Sequence, residues 1–387
     1  MKAKKQLHKT TILDRIDDIK KIDKSGMLTH CLRTAEYCQD VISHAEKVEI
    51  PTEVRIGKNV IEYKKPRNII IAGMGGSAIG GEILRDWLRD EISIPIEVCN
   101  DYVLPAYADE HTLVFAVSYS GETEETLNAF SDAIGRKCMI IAITSGGLLL
   151  SSAKKLEFPH VMVPAGLPPR AALPYVFFPL PILMGKMGAL TNKGSEIEEA
   201  MHVIKNASGE SSPQIPTENN FSKKLALRLK GSVPVVYGFR HYGAIAHRLK
   251  TQFNENSKVP SRYEVFPELN HNEVVGWEAS EDLIKIFSVL LIRDRDEPEE
   301  IKNRIEATKS TALQKTRRIL EIYAKGKGKL AKMFSILHLG DFTSVYLAIL
   351  RGIDPVPVKT IDEIKAAMKK KTNAIEKVKK QIWKMTN

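Results

Sequence analysis

Residues 115–126 read FAVSYSGETEET, an apolar run that gives way to Ser118, Ser120 and Thr123 around Gly121. The run TLVFAV has the composition of a buried strand, and the acidic residues that follow predict a helix starting near Glu122. Hydroxyls clustered at a helix start, where backbone amides lack intrahelical acceptors, suit a phosphate group without a lysine or a metal. Capping alone accounts for one or two such hydroxyls, but not for three beside a glycine. The glutamates fall in the first helical turn, where they favour the helix dipole and can point outward. A second candidate loop, GMGGSAIGG, follows the apolar run NIIIA. There Gly73, Gly75 and Gly76 let the backbone approach a ligand closely, and Ser77 sits where the next helix begins. This loop departs from the dinucleotide fingerprint: Ala78 stands where the third glycine belongs, and no well-matched acidic residue follows about 20 positions later. The candidate substrate contacts are Gly75, Gly76, Ser77, Ser118, Tyr119, Ser120 and Thr123.

The elements that must position these loops follow from apolar periodicity. From Pro66 onward, short apolar runs stopped by Gly, Pro, Ser or Asn alternate with helical segments: NIIIA, IPIEVCNDY, TLVFAV, KCMIIAIT and HVMVPAG are separated by GGEILRDWLRDEI, EETLNAFSDAIGR and LLLSSAKKLE. That alternation predicts a parallel sheet wound with helices on both faces. The pattern restarts at SVPVVYGFRHYG and continues through AIAHRLKTQFNENS, SRYEVFPEL and LIKIFSVLLIRD. The expected fold class is α/β, with two tandem doubly wound domains and accessory helices. The expected boundaries are a helical extension over residues 1–50, a first domain over 51–190, a polar linker over 191–222, a second domain over 223–355 and a C-terminal helix over 356–387.

With 387 residues, 43% hydrophobic and 27% charged, the composition is that of a soluble globular protein with room for two cores. No apolar run approaches the roughly 18 residues of a membrane span, and MKAKKQLHKTT lacks the apolar segment of a secretory signal. A cytoplasmic location and no membrane partner are the corresponding expectations. Cys31, Cys38, Cys99 and Cys138 show no CxxC pair or metal-ligand spacing, which predicts reduced core thiols. Much of the net charge of +10 sits at the two ends, in KAKK and in KAAMKKKTNAIEKVKKQIWK. The latter has helical spacing and reads as a solvated basic face rather than a nucleic-acid surface.

SYSGETEET resembles the S-x-S-G-x-T-x-[DE]-T motif of sugar isomerase (SIS) domains, which bind phosphosugars, and GMGGSAIGG resembles their first loop. Further along, PPRAALPY (168–175), NENSK (254–258) and PELNHNE (267–273) are similar to segments of the bifunctional phosphoglucose/phosphomannose isomerases of archaea and some bacteria. The resemblance runs from about residue 30 to residue 370. It implies flavodoxin-like SIS domains, a sugar 6-phosphate substrate and no cofactor or metal.

The resemblance also implies roles. Moving a proton between C1 and C2 through a cis-enediol needs one base whose protonation can cycle, and positive charge beside the developing enediolate. Glu255 matches the family's base and Arg170 its enediolate-stabilising arginine. Opening the sugar ring needs proton transfer between the ring oxygen and the C1 hydroxyl, a task suited to an imidazole. His271 matches the family's ring-opening histidine, which enters from the other subunit of a dimer, so a homodimer is implied. Lys365 is the candidate for the lysine used beside that histidine, with Lys359 as the alternative.

Residues alone leave other classes open. A phosphosugar-binding SIS regulator would need the hydroxyl loops but no base, and an isomerase for another sugar phosphate would share the whole set. The ten histidines form no HxH or HExxH arrangement, which disfavours a zinc-dependent phosphomannose isomerase. The isomerase half of a glucosamine 6-phosphate synthase would need a glutaminase domain with an amino-terminal cysteine, and is not the expected reading.

Overall fold

The computed structural model describes residues 11–384. The chain divides into two compact units. Of the described residues, the first comprises 34–201, 328–331 and 358–384; the second comprises 11–33, 202–327 and 332–357.

The first unit is built on a five-stranded parallel sheet. After the antiparallel hairpin β1 (Glu53–Ile56) and β2 (Asn59–Glu62) come β3 (Asn68–Ala72), β4 (Ile96–Cys99), β5 (Thr112–Val117), β6 (Met139–Thr144) and β7 (His160–Met162). Strands β5 and β6 are buried along their whole length because helices cover both faces, which is why they read as unbroken apolar runs. The order β4-β3-β5-β6-β7 is the flavodoxin-like arrangement, with its switch point between β3 and β5. The Gly76–Leu88 helix packs closely because it carries small residues where it meets backbone: a Cβ on Gly80 would lie 3.1 Å from the Val176 carbonyl oxygen.

The second unit repeats the plan with four parallel strands: β8 (Val233–Phe239), β9 (Arg262–Phe266), β10 (Phe287–Arg293) and β11 (Arg318–Tyr323), ordered β11-β10-β8-β9. Its core includes a buried ion pair, Arg248 to Asp341 at 3.2 Å, with Gln252 donating to the same carboxylate at 2.7 Å. All four cysteines are free and buried, as their scattered spacing predicted.

Four expectations change. The 1–50 extension is not one body where it is described: residues 11–33 belong to the second unit, whereas the Thr34–Glu46 helix belongs to the first. The polar stretch 191–222 is largely helical, because Ile197, Ala200 and Ile204 recur at helical spacing and are buried in the Gly194–Glu210 helix. The C-terminal segment is two helices, Lys359–Lys371 and Ala374–Lys384; the second buries Val378 and Ile382 and packs on the Glu124–Gly135 helix. The Lys329–Leu350 helix is long and apolar enough to cross a membrane by length and composition, contrary to the reading of the apolar runs, but 83% of its most apolar window is buried inside the protein.

Candidate active site

Three segments converge in the first unit at the carboxyl ends of β3 and β5. A doubly wound sheet leaves its ligand crevice at this switch point, because the helices that follow the two strands lie on opposite faces. The parallel register pairs Ala72 with Ala116, so the loops after them start side by side. Gly73 relieves crowding there: a Cβ would sit 3.0 Å from the Val117 carbonyl oxygen and 3.2 Å from Ser77 Cβ, so its neighbours would have to yield. Gly75 precedes the Gly76–Leu88 helix at φ +52, which turns the chain so that Ser77 lies in its first turn.

The second loop is held by its own hydroxyls. Ser118 Oγ donates to Thr123 Oγ1 at 2.9 Å and accepts from the Gly121 amide at 3.1 Å, while Ser120 Oγ accepts from the Glu122 amide at 3.2 Å. Gly121 has φ +69, and a Cβ on it would fall 1.8 Å from the Gly146 carbonyl oxygen, so glycine alone fits. That turn displaces the helix start predicted near Glu122. The helix begins at Glu124, and the Glu122 carboxylate accepts the Leu148 amide at 2.8 Å, at the start of the neighbouring Gly147–Lys155 helix. Glu124 and Glu125 occupy the first turn as expected.

Tyr119 is placed differently from its neighbours. Its hydroxyl donates to the Pro164 carbonyl at 2.7 Å and accepts from the Leu167 amide at 2.9 Å, so it fixes the loop leading to Arg170. That loop forms the third segment. Arg170 lies in a 3-10 turn, Pro169–Ala172, with its side chain buried, and a Cβ on Gly76 would stand 3.1 Å from the Pro169 carbonyl oxygen. The buried arginine therefore sits directly behind the first loop.

Sequence reasoning passed over Thr126. Its Oγ1 is buried without a hydrogen-bond partner, in the first turn of the Glu124–Gly135 helix. The signal was available, since Thr126 closes the quoted SYSGETEET pattern.

The matching strand ends of the second unit carry charged side chains paired with one another. At the ends of β8 and β10, Tyr242 donates to Asp294 at 2.6 Å and Lys332 reaches Asp294 at 2.9 Å. Burial alone would raise the Asp294 pKa, but these hydrogen bonds hold it below the ordinary carboxylate range. Arg293 is ion-paired to Glu297, Glu306 and Glu321. An anionic, internally paired cluster repels a phosphate, so among the described residues these strand ends do not repeat the cradle.

Glu255 and His271 belong to the second unit, at opposite edges of its sheet. The Gly243–Glu255 helix runs back from the carboxyl end of β8, so Glu255 ends near the amino edge where β9 starts. His271 follows the carboxyl end of β9, and the five residues of that strand span about 16 Å. Glu255 is half-buried and its turn is tightly held: Asn256 Nδ2 donates to Ser344 Oγ at 2.9 Å, Ser257 Oγ donates to the Ser344 carbonyl at 2.6 Å, and Lys258 donates to the Glu255 and Pro355 carbonyls. His271 is exposed on a loop anchored by buried Leu269, by Asn270 donating to Thr308 at 2.8 Å, and by Tyr237 donating to Glu273 at 2.8 Å. Lys365 and Lys359 both lie on the exposed Lys359–Lys371 helix. The first unit therefore brings together all seven hydroxyl and glycine candidates with Arg170, while Glu255, His271 and Lys365 stand on separate supports. Among the described residues, no group of three or more His, Cys, Asp or Glu side chains is placed to hold a metal ion.

Comparison with known proteins bears on the same segments. Residues 62–157 match the SIS domain model, and residues 218–368 match the model for the bacterial phospho-glucose isomerase C-terminal SIS domain. The chain is 43% identical over 321 residues to the bifunctional phosphoglucose/phosphomannose isomerase of Caldicellulosiruptor bescii, covering 82% of this chain and 95% of the relative. It is 38% identical to the protein of that name from Aquifex aeolicus, covering 81% and 93%. A D-glucosamine-6-phosphate 4-epimerase from Sulfolobus acidocaldarius is 32% identical over 57% of this chain and 68% of its own length. In fold, the C-terminal domain of glucosamine-fructose-6-phosphate aminotransferase from Francisella tularensis superposes with a TM-score of 0.62 at 17% identity, covering 86% of this chain and 98% of that one. A hypothetical protein from Thermus thermophilus reaches a TM-score of 0.70 at 14% identity over 92% and 93% of the two chains. The chain belongs to the bifunctional phosphoglucose/phosphomannose isomerase family.

Proposed function

We propose that the protein interconverts glucose 6-phosphate and mannose 6-phosphate with fructose 6-phosphate through a cis-enediol. Ser77, Ser118, Ser120 and Thr123 hold the 6-phosphate, and the amides at the starts of the two helices complete its solvation. Glu255 removes the proton from C2 of the open-chain aldose. The C–H electrons form the C1–C2 double bond as the carbonyl oxygen takes up negative charge, which Arg170 stabilises. The O2 hydroxyl proton passes to O1 and O2 becomes the carbonyl oxygen as Glu255 returns the carbon-bound proton to C1, leaving the ketose; one carboxylate suffices for the carbon-to-carbon transfer because C1 and C2 are adjacent. Glucose and mannose phosphates differ only at C2, which is trigonal in the enediol, so both pass through one intermediate.

His271 and Lys365 open the sugar ring. His271 acts from a second copy of the chain, a reading supported by its position across the sheet from its own Glu255. The observation that carries the functional reading is the hydroxyl cradle at the β3/β5 switch point, which suits a tetrahedral anion.

The test is a coupled assay starting from fructose 6-phosphate, scoring glucose and mannose 6-phosphates separately, with and without a chelator. Both products in both conditions are expected. Glucose 6-phosphate alone would reduce the activity to that of a phosphoglucose isomerase. The epimerase relative motivates one further arm with glucosamine 6-phosphate, for which no turnover is expected.

A further inference from the structure

The order β11-β10-β8-β9 obliges the chain leaving β9 to cross over β8 before it enters β10. Such a crossing is usually made by a long helix. Here residues 267–286 supply two 3-10 turns, Glu268–His271 and Glu273–Glu278, and the four-residue helix Glu281–Ile284. Turns of this kind have poor hydrogen-bond geometry and little stability of their own. The position of His271 therefore depends on side chains that tie the crossing down.

The residues around it are all tied. Leu269 is fully buried, and Asn270 donates to Thr308 at 2.8 Å. Asn272 Oδ1 accepts the Glu273 amide at 2.5 Å, while its Nδ2 donates to Glu268 at 2.8 Å. Glu273 comes next, with a carboxylate side chain only 8% exposed, so its charge must be met by the protein. One of its oxygens accepts from Tyr237 at 2.8 Å, and the other pairs with Arg262. Tyr237 stands on β8, fully buried, with its ring centroid 5.9 Å from that of Phe266. The Trp277 indole donates to the Tyr237 hydroxyl at 2.8 Å. An indole N–H can only donate, so the hydroxyl accepts from Trp277 and its own proton goes to Glu273. Burial first, and the Glu273 carboxylate next, push the Tyr237 pKa up, so that proton stays in place.

We propose that Tyr237 is a positioning residue for ring opening: locked by Trp277 and acting through Glu273, it fixes the turn that presents His271 to the ring oxygen and C1 hydroxyl of the sugar. None of these three side chains touches the substrate in this role. The task given to His271 rests on the isomerase reading, whereas the anchor rests on the hydrogen bonds themselves.

The test separates ring opening from proton transfer between carbons. In a Glu255→Gln chain, where isomerisation stops, magnetisation exchange between the α and β anomers of glucose 6-phosphate reports ring opening alone. Adding Tyr237→Phe should lower that catalysed exchange at least about tenfold, because rate falls steeply when a reacting group is misplaced. With Glu255 intact, the same substitution should lower kcat for fructose 6-phosphate in proportion. Turnover of 5-deoxyfructose 6-phosphate, which lacks the hydroxyl that closes the furanose ring, should stay within about threefold of wild type. Glu273→Ala should behave as Tyr237→Phe does, and it decides alone if the buried Tyr237→Phe change prevents folding. Glu273→Gln keeps an oxygen that accepts from Tyr237 and should retain most of the exchange. Equal slowing on the cyclic and acyclic substrates would mark a merely structural role and overturn the proposal. Exchange that survives both Tyr237→Phe and Glu273→Ala, or no catalysed exchange in Glu255→Gln itself, would overturn it as well. Failure of the wild type to isomerise fructose 6-phosphate would instead remove the isomerase reading, while anomer exchange, which needs no isomerisation, would still decide the positioning.

Discussion

Ser118 and Thr123 are joined hydroxyl to hydroxyl at 2.9 Å, across the turn made by Gly121. The bond shapes the cradle before any ligand arrives, since Ser118 also accepts the Gly121 amide and can spare no rotation without losing a partner. Preorganised donors cost little reorganisation when an anion binds.

Ser118→Ala is therefore expected to raise KM for fructose 6-phosphate by about tenfold, the loss of one or two hydrogen bonds, with a smaller change in kcat. Steady-state kinetics and competition by inorganic phosphate check this. An unchanged KM would remove Ser118 from the cradle.

Thr126→Val keeps shape while deleting a hydroxyl that has no partner in the structure. If the hydroxyl serves only packing, the substitution is neutral or stabilising. If the anion recruits it, KM rises with no loss of melting temperature, and that rise is the expected result.

Gly121→Ala places a methyl group on the Gly146 carbonyl oxygen and forces an alanine to φ +69. Backbone displacement at both loops should lower the melting temperature and weaken phosphate binding together. Thermal unfolding with and without fructose 6-phosphate separates the two effects, and a variant as stable as the parent would contradict the tight packing described.

Glu255→Gln preserves the helix end and its neighbours but cannot cycle a proton. The expected result is a fall in kcat of at least about 1,000-fold with substrate binding nearly intact, measured by calorimetry. Retained turnover would sink the assignment of the base.

His338 yields a stability prediction away from the site. It is fully buried against Ser208 at 2.7 Å, near Asp341 and Arg248, and burial pushes its pKa down to about 4. The unfolded chain, with a histidine near 6.5, binds more protons than the folded one between these values. The contribution is thus fully present above pH 6.5 and is lost as pH falls towards 4, by about 3 kcal/mol in all. His338→Phe should flatten this limb in urea titrations across pH 4 to 7, and an unaltered slope would assign the acid sensitivity elsewhere.

Much of the fold was legible because β3, β5 and β6 lie under helices on both faces, so their apolar runs are continuous and end at glycines and serines. The hydroxyl loops were legible for the same reason, as they are the places where those runs stop. What stayed hidden depends on partners far along the chain. Asp14 joins the second unit by accepting the Thr217 amide at 2.8 Å and pairing with fully buried Lys223 at 3.3 Å, contacts across some two hundred residues that leave no local pattern. The Gly194–Glu210 helix was masked by its polar exposed face, although its buried residues follow helical spacing.

The sequence by itself determined which groups are available, the hydroxyls, the glycines, one arginine behind two prolines and a glutamate at a helix end, together with the strand and helix alternation that carries them. Only the tertiary structure decided that the switch-point crevice is a hydroxyl cradle in one unit, whereas the matching strand ends of the other carry paired charges. It also decided that Glu255 and His271, sixteen positions apart, stand at opposite edges of one sheet. The reason is geometric: in a parallel sheet each connecting helix must carry the chain back to the edge where the next strand begins, so residues on either side of that strand face opposite ends whatever their distance in sequence.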